Sequence, residues 1–505
     1  MNHFRFLSFF LAGILMFTGS ARADYVPATS KVKLPEPIRE FRGAWIATVH
    51  NIDWPSKKGL PAPQQRAELI NLLDLAAATG INAVVLQVRS ECDAIYPSKI
   101  EPWSNWISGT MGVPPSDGYD PLAFAIEEAH RRGIELHAWF NPFRSSATDW
   151  SKKSSRHISK THPSLMMRAA TQVWANPGVE FVQNRALQVI QDVTQRYDID
   201  AVHMDDYFYP YPKTVNGVPR DQFDDSSTYN AYKKKGGKLG LRDWRRDEIN
   251  GFVNKLYRTV KSTKPTVKVG ISPFGIWRPG HPPAISAGLD AYEQICADSR
   301  KWLMEGWVDY FSPQLYWRIT DKPHSFTVLT EWWSQQNKHG RHLWPGMASS
   351  RVMSTTDPGR PASEITDEID VTRKYAANKF GAGHIHWSFK AIVENRGGLN
   401  KKLATSYRKV ALTPASPWLG TTPPGGAYVA PTEEAGSLVV KFQAAADARW
   451  RLMQVRQKSG GEWITLRPIP GNQKAYKFDG LPAEVAFRNV GASGILSSPT
   501  VLIRK

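Results

Sequence analysis

The sequence alternates eight times between a short apolar run and a longer amphipathic segment, and this alternation restricts the fold more than any other feature. The run at 81–88 is nearly all apolar, as in a strand buried on both faces. The predicted strands are 42–49, 81–88, 134–143, 200–207, 267–276, 308–317, 342–349 and 383–389, and the predicted helices are 63–79, 120–132, 177–197, 243–263, 290–305, 325–339, 363–379 and 399–410. Eight such units predict an α/β fold whose parallel sheet closes as a (β/α)8 TIM barrel.

The composition changes at Thr413, where a segment rich in proline and glycine marks a linker. Short alternating runs follow and predict a small all-β sandwich. Its Trp450 and Trp463 pattern resembles a fibronectin type III domain, for which a spacer role is favoured over glycan binding. The predicted division is a signal peptide at 1–23, an N-terminal lead at 24–39, the barrel at 40–412, a linker at 413–436 and the sandwich at 437–505.

The N-terminal segment predicts export. Arg5 precedes an apolar run that ends before Ala21-Arg22-Ala23, an Ala-x-Ala cleavage pattern. No cysteine follows the run, so no lipid anchor is indicated, and no later stretch is long enough for a membrane span. We therefore expect a periplasmic or secreted protein, in which Cys92 and Cys296 remain separate thiols.

The chain is strongly basic. Cleavage at residue 23 would lower the formal charge from +18 to +16, because it removes two arginines and no acid. Such a charge fits a diffusely basic surface or a polyanionic partner, such as an anionic cell-wall glycan. The sequence contains no nucleic-acid-binding motif, and we expect no nucleic-acid partner.

Two adjacent carboxylates, Asp205 and Asp206, follow the fourth predicted strand and are the main candidates for catalysis. Glycosidic cleavage needs a protonated carboxyl group and a second carboxylate. Neighbouring residues on a regular strand point to opposite faces. Either one of the two acids orients the other, or a bend brings both into the site. Glu91, as a further catalytic candidate, and Asp93 are the alternatives for a second acid. Arg89 would hold such a group ionised, whereas burial among aromatic residues would raise its pKa towards an acid role, and the sequence leaves both open.

The other candidates are strand-end side chains that would bind substrate. Tryptophan stacks on sugar rings, and the chain has 19 of them. The predicted substrate-binding residues are Arg42, Trp45, Arg89, Asp93, Tyr96, Trp139, Asn141, Arg144, His203, Tyr207, Trp277, Gln314, Tyr316, Trp317 and Trp387. For His203, a role in the core is favoured over metal binding. No metal-ligand pattern is visible, and we expect neither a metal nor another cofactor.

Several ordered motifs between Glu40 and Arg408 resemble the bacterial glycosyl-hydrolase-like family 10, which is distantly similar to alpha-amylase-type glycosidases. The motifs are Glu40–Trp45, Gln87–Arg89, Asp93–Ser98, His137–Arg144, Asn176–Gly178, His203–Pro210, Ser272–Arg278 and Pro313–Trp317. The resemblance implies an active site at Asp205, surrounded by Arg42, Arg89, Asn141, Arg144, Gln314 and Trp317. It also implies cleavage of peptidoglycan strands that have lost their stem peptides, with cell-division proteins as partners.

Three functions remain open on the sequence. The first is an exported glycoside hydrolase that acts on peptide-free peptidoglycan strands in cell-wall remodelling or division. The second is a non-catalytic protein that binds cell-wall glycan, which is kept because no second acid is unambiguous. The third is a hydrolase of another polysaccharide, such as an alpha-glucan.

Overall fold

The computed structural model describes residues 24–29, 32–147, 152–169, 172–215 and 218–505. The predicted signal peptide at 1–23 lies outside the described residues. No helix in the described part of the chain combines the length and the apolar character that crossing a membrane requires.

A curled parallel sheet forms the larger part of the fold. Within the described residues it has ten parallel segments, in chain order Ile38–Ile46, Ala83–Arg89, Glu135–Phe140, Ala201–Met204, Lys268–Ile271, Tyr310–Phe311, His342–Leu343, Gly346–Met347, Ala382–His386 and Ala411–Leu412. The last is a side branch that pairs with the start of the first segment. Ala382–His386 pairs with the first segment. The two edges are His342–Leu343 and Gly346–Met347, which only Trp344 and Pro345 separate in the chain. The prediction of an α/β fold with a parallel, TIM-barrel-like sheet is confirmed.

Helices connect successive strands. The longer ones are Ala62–Ala78, Pro121–Arg131, Glu180–Arg196, Ser226–Lys234, Leu241–Thr263, Phe326–Gln336, Ala362–Val371 and Leu399–Ser406, and the shorter ones are Asn105–Ser108, Ile158–Thr161, Ala291–Gln294, Ser299–Met304 and Lys390–Val393. The helix predicted at 290–305 is two short helices, because Cys296 between them has a φ of 55°, which a right-handed helix does not accommodate. Both cysteines are buried free thiols.

Aromatic rings fill the interior of the curled sheet. Phe41 stacks on Trp344 with ring centroids 3.8 Å apart, and the Tyr310 ring stacks on Trp344 as well, with centroids 4.6 Å apart. Glycine makes room for them: a Cβ at Gly270 would lie 1.9 Å from the Tyr310 ring, and one at Gly383 2.4 Å from Trp344. The interior is therefore a packed core, and open space is left beyond the carboxyl ends of the strands.

Two insertions rise from strand-to-helix connections. After the third strand, Arg144–Ser146, Gln172–Ala175 and Met166–Ala169 form a small antiparallel sheet. After the fourth, Lys213–Val215 pairs with Val218–Arg220. Both insertions lie beside the carboxyl ends of the strands, where barrel enzymes bind their substrates.

The C-terminal region forms two antiparallel sheets. One contains Tyr25–Pro27, Thr500–Arg504, Glu484–Val490, Trp450–Arg456, Ile464–Thr465 and Ile469–Pro470, and the other Val429–Glu434, Ser437–Phe442 and Ala475–Lys477. Residues from both sheets, among them Phe442 and Phe487, share one buried apolar cluster. The strand Tyr25–Pro27 was not predicted. It pairs with Thr500–Arg504, so the N-terminal lead belongs in part to this region.

Arg449 joins the C-terminal region to the parallel sheet. Its guanidinium donates to Asp200 at 2.7 and 2.9 Å and also bonds Asp198 and His130. Burial alone would raise the pKa of Asp200, but Arg449 and His130 hold it well below its usual range. We call these four residues the Arg449 cluster. It lies at the amino end of the strand Ala201–Met204.

Candidate active site

A pocket of about 410 Å³ opens at the carboxyl ends of the parallel strands. Eight of the ten segments of the curled sheet supply at least one residue at or shortly after their carboxyl ends, and the other two, His342–Leu343 and Ala411–Leu412, supply none. The lining is Trp45, Val49, His50, Ile52, Gln87, Trp139, Arg144, Ala147, Gln172, Asp205, Asp206, Tyr207, Tyr211, Ser272, Phe274, Gln314, Tyr316, Trp317, Arg351 and Trp387. Its walls are largely aromatic, and Asp205 and Asp206 are the acids in this lining.

Asp205 and Asp206 both face the pocket because the regular strand ends before them. The strand stops at Met204, so the alternation of side chains between two faces does not extend to the acids. Of the two arrangements expected from the sequence, the bend that brings both acids into the site is the one observed. Burial leaves Asp205 5% and Asp206 6% exposed.

Asp205 accepts hydrogen bonds from three N–H groups. The Trp139 indole donates to Oδ2 at 3.2 Å, the Asn141 amide donates to the same oxygen, and the Tyr207 backbone N–H donates to Oδ1 at 3.1 Å. These donors fix the carboxylate plane. Asp206 instead accepts from the Tyr211 hydroxyl and bonds the Gln314 side chain.

Gln87 fixes the orientation of Asn141. Its Oε1 accepts the backbone N–H groups of Thr48 and Val49 at 3.1 and 2.9 Å, so its Nε2 must face Asn141, to whose Oδ1 it donates at 2.6 Å. The amide of Asn141 is thereby left to donate to Asp205. A chain of hydrogen bonds thus runs from the first strand to the carboxylate.

The two acids raise each other's proton affinity. Burial and the neighbouring Asp206 raise the pKa of Asp205 to about 7, against the opposing charge of Arg144. Burial also raises the pKa of Asp206, while its bonds to Tyr211 and Gln314 oppose the shift. Like charges this close do not both ionise readily, so the pair retains a proton near neutral pH.

We expect kcat/KM to fall as the pH rises through about 7. The reason is that the raised pKa of Asp205 keeps the pair singly protonated below that pH, and a glycosidase needs this proton for the leaving oxygen. The pH profile should be recorded between about pH 5 and pH 9. A profile that stays level up to pH 9, in protein that remains folded, would contradict this assignment of the proton.

Ten of the predicted site residues line the pocket: Trp45, Trp139, Arg144, Asp205, Asp206, Tyr207, Gln314, Tyr316, Trp317 and Trp387. Asn141 does not line it but bonds Asp205 directly. The structure adds His50, Gln87, Gln172, Tyr211, Ser272, Phe274 and Arg351 as polar or aromatic members of the lining. Their positions at strand ends could have identified Gln87, Ser272 and Phe274 as pocket residues from the sequence. The others come from connections, for which the strand pattern gives no signal.

Glu91 lies outside the pocket, in contrast to its expected role as second acid. It is fully buried, and its carboxylate accepts from the Trp106 indole at 3.1 Å, from the Ala147 backbone N–H and from Lys153 at 3.2 Å. These bonds tie the second strand to the insertion after the third. Asp93 is equally enclosed, since it accepts the backbone N–H groups of Ser90 and Glu91.

Other predicted residues also have partners away from the pocket. Arg89 pairs with Glu101 at 3.0 Å rather than with Glu91 or Asp93. Arg42 lies toward the amino ends of the strands and pairs with Glu40 at 2.6 Å.

Three more predicted residues lie outside the pocket lining: His203, Trp277 and the fully buried Tyr96. His203 bonds Trp45, Ser272 and Tyr310 inside the sheet. Burial lowers its pKa well below the usual value, so it is a neutral core histidine. The Trp277 indole donates to Asp298 at 3.1 Å. The described residues contain no group of three or more His, Cys, Asp or Glu arranged to hold a metal ion.

Comparisons with known proteins agree on one family. The profile of the glycosyl hydrolase-like 10 family matches residues 40–360. The chain is 38% identical over 445 residues to glycosyl hydrolase YngK of Bacillus subtilis strain 168, which covers 86% of this chain and 81% of that protein. It is 35% identical over 349 residues to glycosyl hydrolase DigH of Escherichia coli strain K12, covering 65% of this chain and 76% of that one.

Among solved structures, similarity extends to the catalytic domain of a beta-amylase from Paenibacillus polymyxa. The TM-score is 0.48 and the sequence identity 10%, over 73% of this chain and 98% of that one.

Proposed function

The chain belongs to the glycosyl hydrolase-like 10 family and is a glycoside hydrolase, and from this we propose that it cleaves the glycan strands of peptidoglycan. We further propose that its substrate is strands without stem peptides and that it works outside the cytoplasm, in wall remodelling or division, after removal of residues 1–23 as a signal peptide. Cell-division proteins would then be its partners.

The observation that carries this proposal is the pair Asp205 and Asp206 in one aromatic pocket. The proton that the pair retains would pass to the glycosidic oxygen as the bond breaks, and the carboxylate left ionised would stabilise the positive charge that develops at the anomeric carbon. The N–H donors on Asp205 hold that group in place during the reaction. Trp45, Trp139 and Trp387 would offer their ring faces to the sugars.

The charge of the protein supports an acidic glycan as the substrate. Peptidoglycan without stem peptides carries a free lactyl carboxylate on alternate sugars, and the chain would keep a formal charge of +16 after removal of residues 1–23. Positive potential over the surface would raise the association rate with such a polyanion. Arg144 and Arg351 bring two guanidinium groups into the pocket lining, where they would bind anionic substituents.

We also infer the finer architecture around the site. The sheet edges His342–Leu343 and Gly346–Met347 would be two halves of one seventh strand, interrupted at Pro345, which has no backbone N–H to pair. The curled sheet would then be a closed (β/α)8 barrel spanning 40–412. The region 437–505, with the strand Tyr25–Pro27, would be a fibronectin type III-like sandwich that acts as a spacer or stabiliser.

Digestion of purified cell walls tests the proposal. We expect the protein to release peptide-free muro-oligosaccharides from amidase-treated walls and to release at most a small fraction of that amount from untreated walls. The products should be identified by mass spectrometry, with an alpha-glucan as a parallel substrate. Binding to the strands without any product over long incubation would instead support a non-catalytic glycan-binding protein. Products from the alpha-glucan alone would support a different polysaccharide.

A further inference from the structure

Arg351 is a pocket residue that the acid pair leaves unused. It ends the short turn Ser349–Arg351, which follows the parallel segment Gly346–Met347. Its guanidinium is half-buried and lines the same pocket as Asp205 and Asp206. The Nη1 group donates to the backbone oxygen of Tyr316 at 2.7 Å. That bond uses one of the five N–H groups that an arginine carries.

The charge of Arg351 has no direct counter-ion, unlike the charges of its neighbours. Within the described part of the chain, no carboxylate lies within 4.0 Å of it. Arg318 and Arg360 share Asp357 at 2.6 and 3.3 Å. Burial acts to raise the pKa of Asp357, but Arg318, with smaller contributions from Arg360 and Arg351, lowers it. Asp357, the acid on which the charge of Arg351 acts, is therefore already bonded to two other arginines.

Two more acids, Glu368 and Glu364, are also bonded to groups other than Arg351. Glu368 pairs with Arg360 at 2.5 Å, and Glu364 accepts the backbone N–H of Ile319 at 2.7 Å. Neither bonds Arg351. Apart from the bond to Tyr316, no described residue is seen to accept from the guanidinium, so its other N–H groups are available to a ligand of the pocket that Arg351 lines. The fork of an arginine matches a carboxylate.

Tyr316 is influenced both by Arg351 and by the acid pair. Burial, Asp206 and Tyr207 raise the pKa of Tyr316, while Arg351 acts on it in the opposite direction. The cation therefore lies beside the reacting centre without bonding either acid. The backbone next to Arg351 is held firmly. The Ser350 backbone N–H donates to the Trp387 backbone oxygen at 2.7 Å, and the Ser350 backbone oxygen accepts from Arg396 at 2.5 Å. A pre-organised cation that lines the pocket without bonding either acid suits a substituent of the sugar rather than the bond that breaks.

We propose that Arg351 binds a carboxylate on the substrate and makes the pocket selective for an acidic sugar. This inference rests on the proposed function, under which the carboxylate is the lactyl group of a peptide-free strand. In a peptide-bearing strand the same group is an amide, which is neutral and extended by the stem peptide. Arg351 would thus be the residue that distinguishes the two kinds of strand.

Two substrates that differ only in this group test the inference. Peptide-free strands carry free lactyl carboxylates, and the same strands coupled to methylamine carry neutral amides of nearly equal size. The variants are Arg351→Gln, which removes the charge, and Arg351→Lys, which keeps it without the fork. Arg318→Gln is the matched control, because it removes a neighbouring arginine that does not line the pocket.

We expect the wild type to prefer the carboxylate strands, and Arg351→Gln to lower kcat/KM on them roughly 10- to 100-fold with little change on the amidated strands. Arg351→Lys should fall between the two, and Arg318→Gln should keep the wild-type preference. An unchanged preference in Arg351→Gln would overturn the inference.

Binding separates this inference from the proposed function. Affinity for both kinds of strand is to be measured by calorimetry in the Asp205→Asn background, with and without Arg351→Gln. A carboxylate preference that disappears with Arg351 supports the inference even if the wild type releases no product, in which case only the hydrolysis of peptidoglycan is refuted. Equal affinity for both strands with Arg351 present refutes the inference, even if hydrolysis is observed.

Discussion

Replacement of Asp205 by asparagine is expected to lower kcat roughly 10²- to 10⁴-fold without loss of the fold. The amide has the shape of the carboxylate, so its oxygen can still accept from Trp139 and Asn141, and only the bond from the Tyr207 backbone N–H is lost. The substitution also removes one of two buried acidic groups whose simultaneous ionisation is unfavourable. We therefore expect a free energy of unfolding equal to or higher than that of the wild type, as often occurs when a catalytic group is removed.

Glu91→Gln is the informative comparison for this variant. The sequence made both Asp205 and Glu91 candidates for catalysis, but the Glu91 carboxylate is enclosed by Trp106, Ala147 and Lys153. We expect its kcat to stay within about tenfold of the wild type, provided that circular dichroism reports a folded protein. Rates should be measured by release of reducing ends at constant pH. A folded Glu91→Gln variant as inactive as Asp205→Asn would move the second acid back to Glu91.

Replacement of Arg449 by methionine is expected to destabilise the protein by about 3–5 kcal/mol, the usual cost of leaving one partner of a buried ion pair alone. Asp200 is buried, and Arg449 supplies two of its hydrogen bonds. The loss is to be measured by urea unfolding. Activity per folded molecule should be unchanged, because Asp200 and Asp205 lie at opposite ends of the strand Ala201–Met204.

Two variants show whether the unpaired charge causes this loss. Arg131→Met removes a surface pair with Glu127 at 2.8 Å, whose partners are 60% and 68% exposed, and a second pair with Glu128 at 3.1 Å. Glu128 keeps its pair with Arg132 at 2.6 Å, so no buried acid is left unpaired and the loss should be less than about 1 kcal/mol. Adding Asp200→Asn to Arg449→Met should recover part of the stability, since no buried charge is then left alone. A double variant less stable than Arg449→Met would assign the loss to packing instead.

The sequence was sufficient to predict the parallel sheet, because runs buried on both faces have an apolar pattern that no exposed segment shares. The sequence did not predict the features that depend on tertiary contacts. A positive φ at Cys296 divides the predicted helix 290–305, and no local pattern indicates it. The strand Tyr25–Pro27 has only three residues, and its partner lies at the other end of the chain, beyond the range of any periodicity.

The candidate site was predictable to the extent that it is built from strand ends. Asp205, Trp139 and Gln314 follow directly from the count along each strand. Glu91 did not, because a carboxylate just after a strand can turn toward the pocket or away from it, and the bonds from Trp106 and Lys153 decide this. Arg351 could not be predicted as a pocket residue from the sequence, since its position depends on the turn after the seventh predicted strand.

The pairing of Tyr25–Pro27 with Thr500–Arg504 also indicates how the chain could be circularly permuted. The Lys505 backbone N–H donates to Asp24 at 2.8 Å, so a short linker would join these two residues. A circular permutant joined there and reopened at the exposed Thr421 and Thr422 would keep every strand pair. In it the two antiparallel sheets become one uninterrupted stretch of sequence, which can be produced apart from the parallel sheet and its helices to measure its own affinity for glycan.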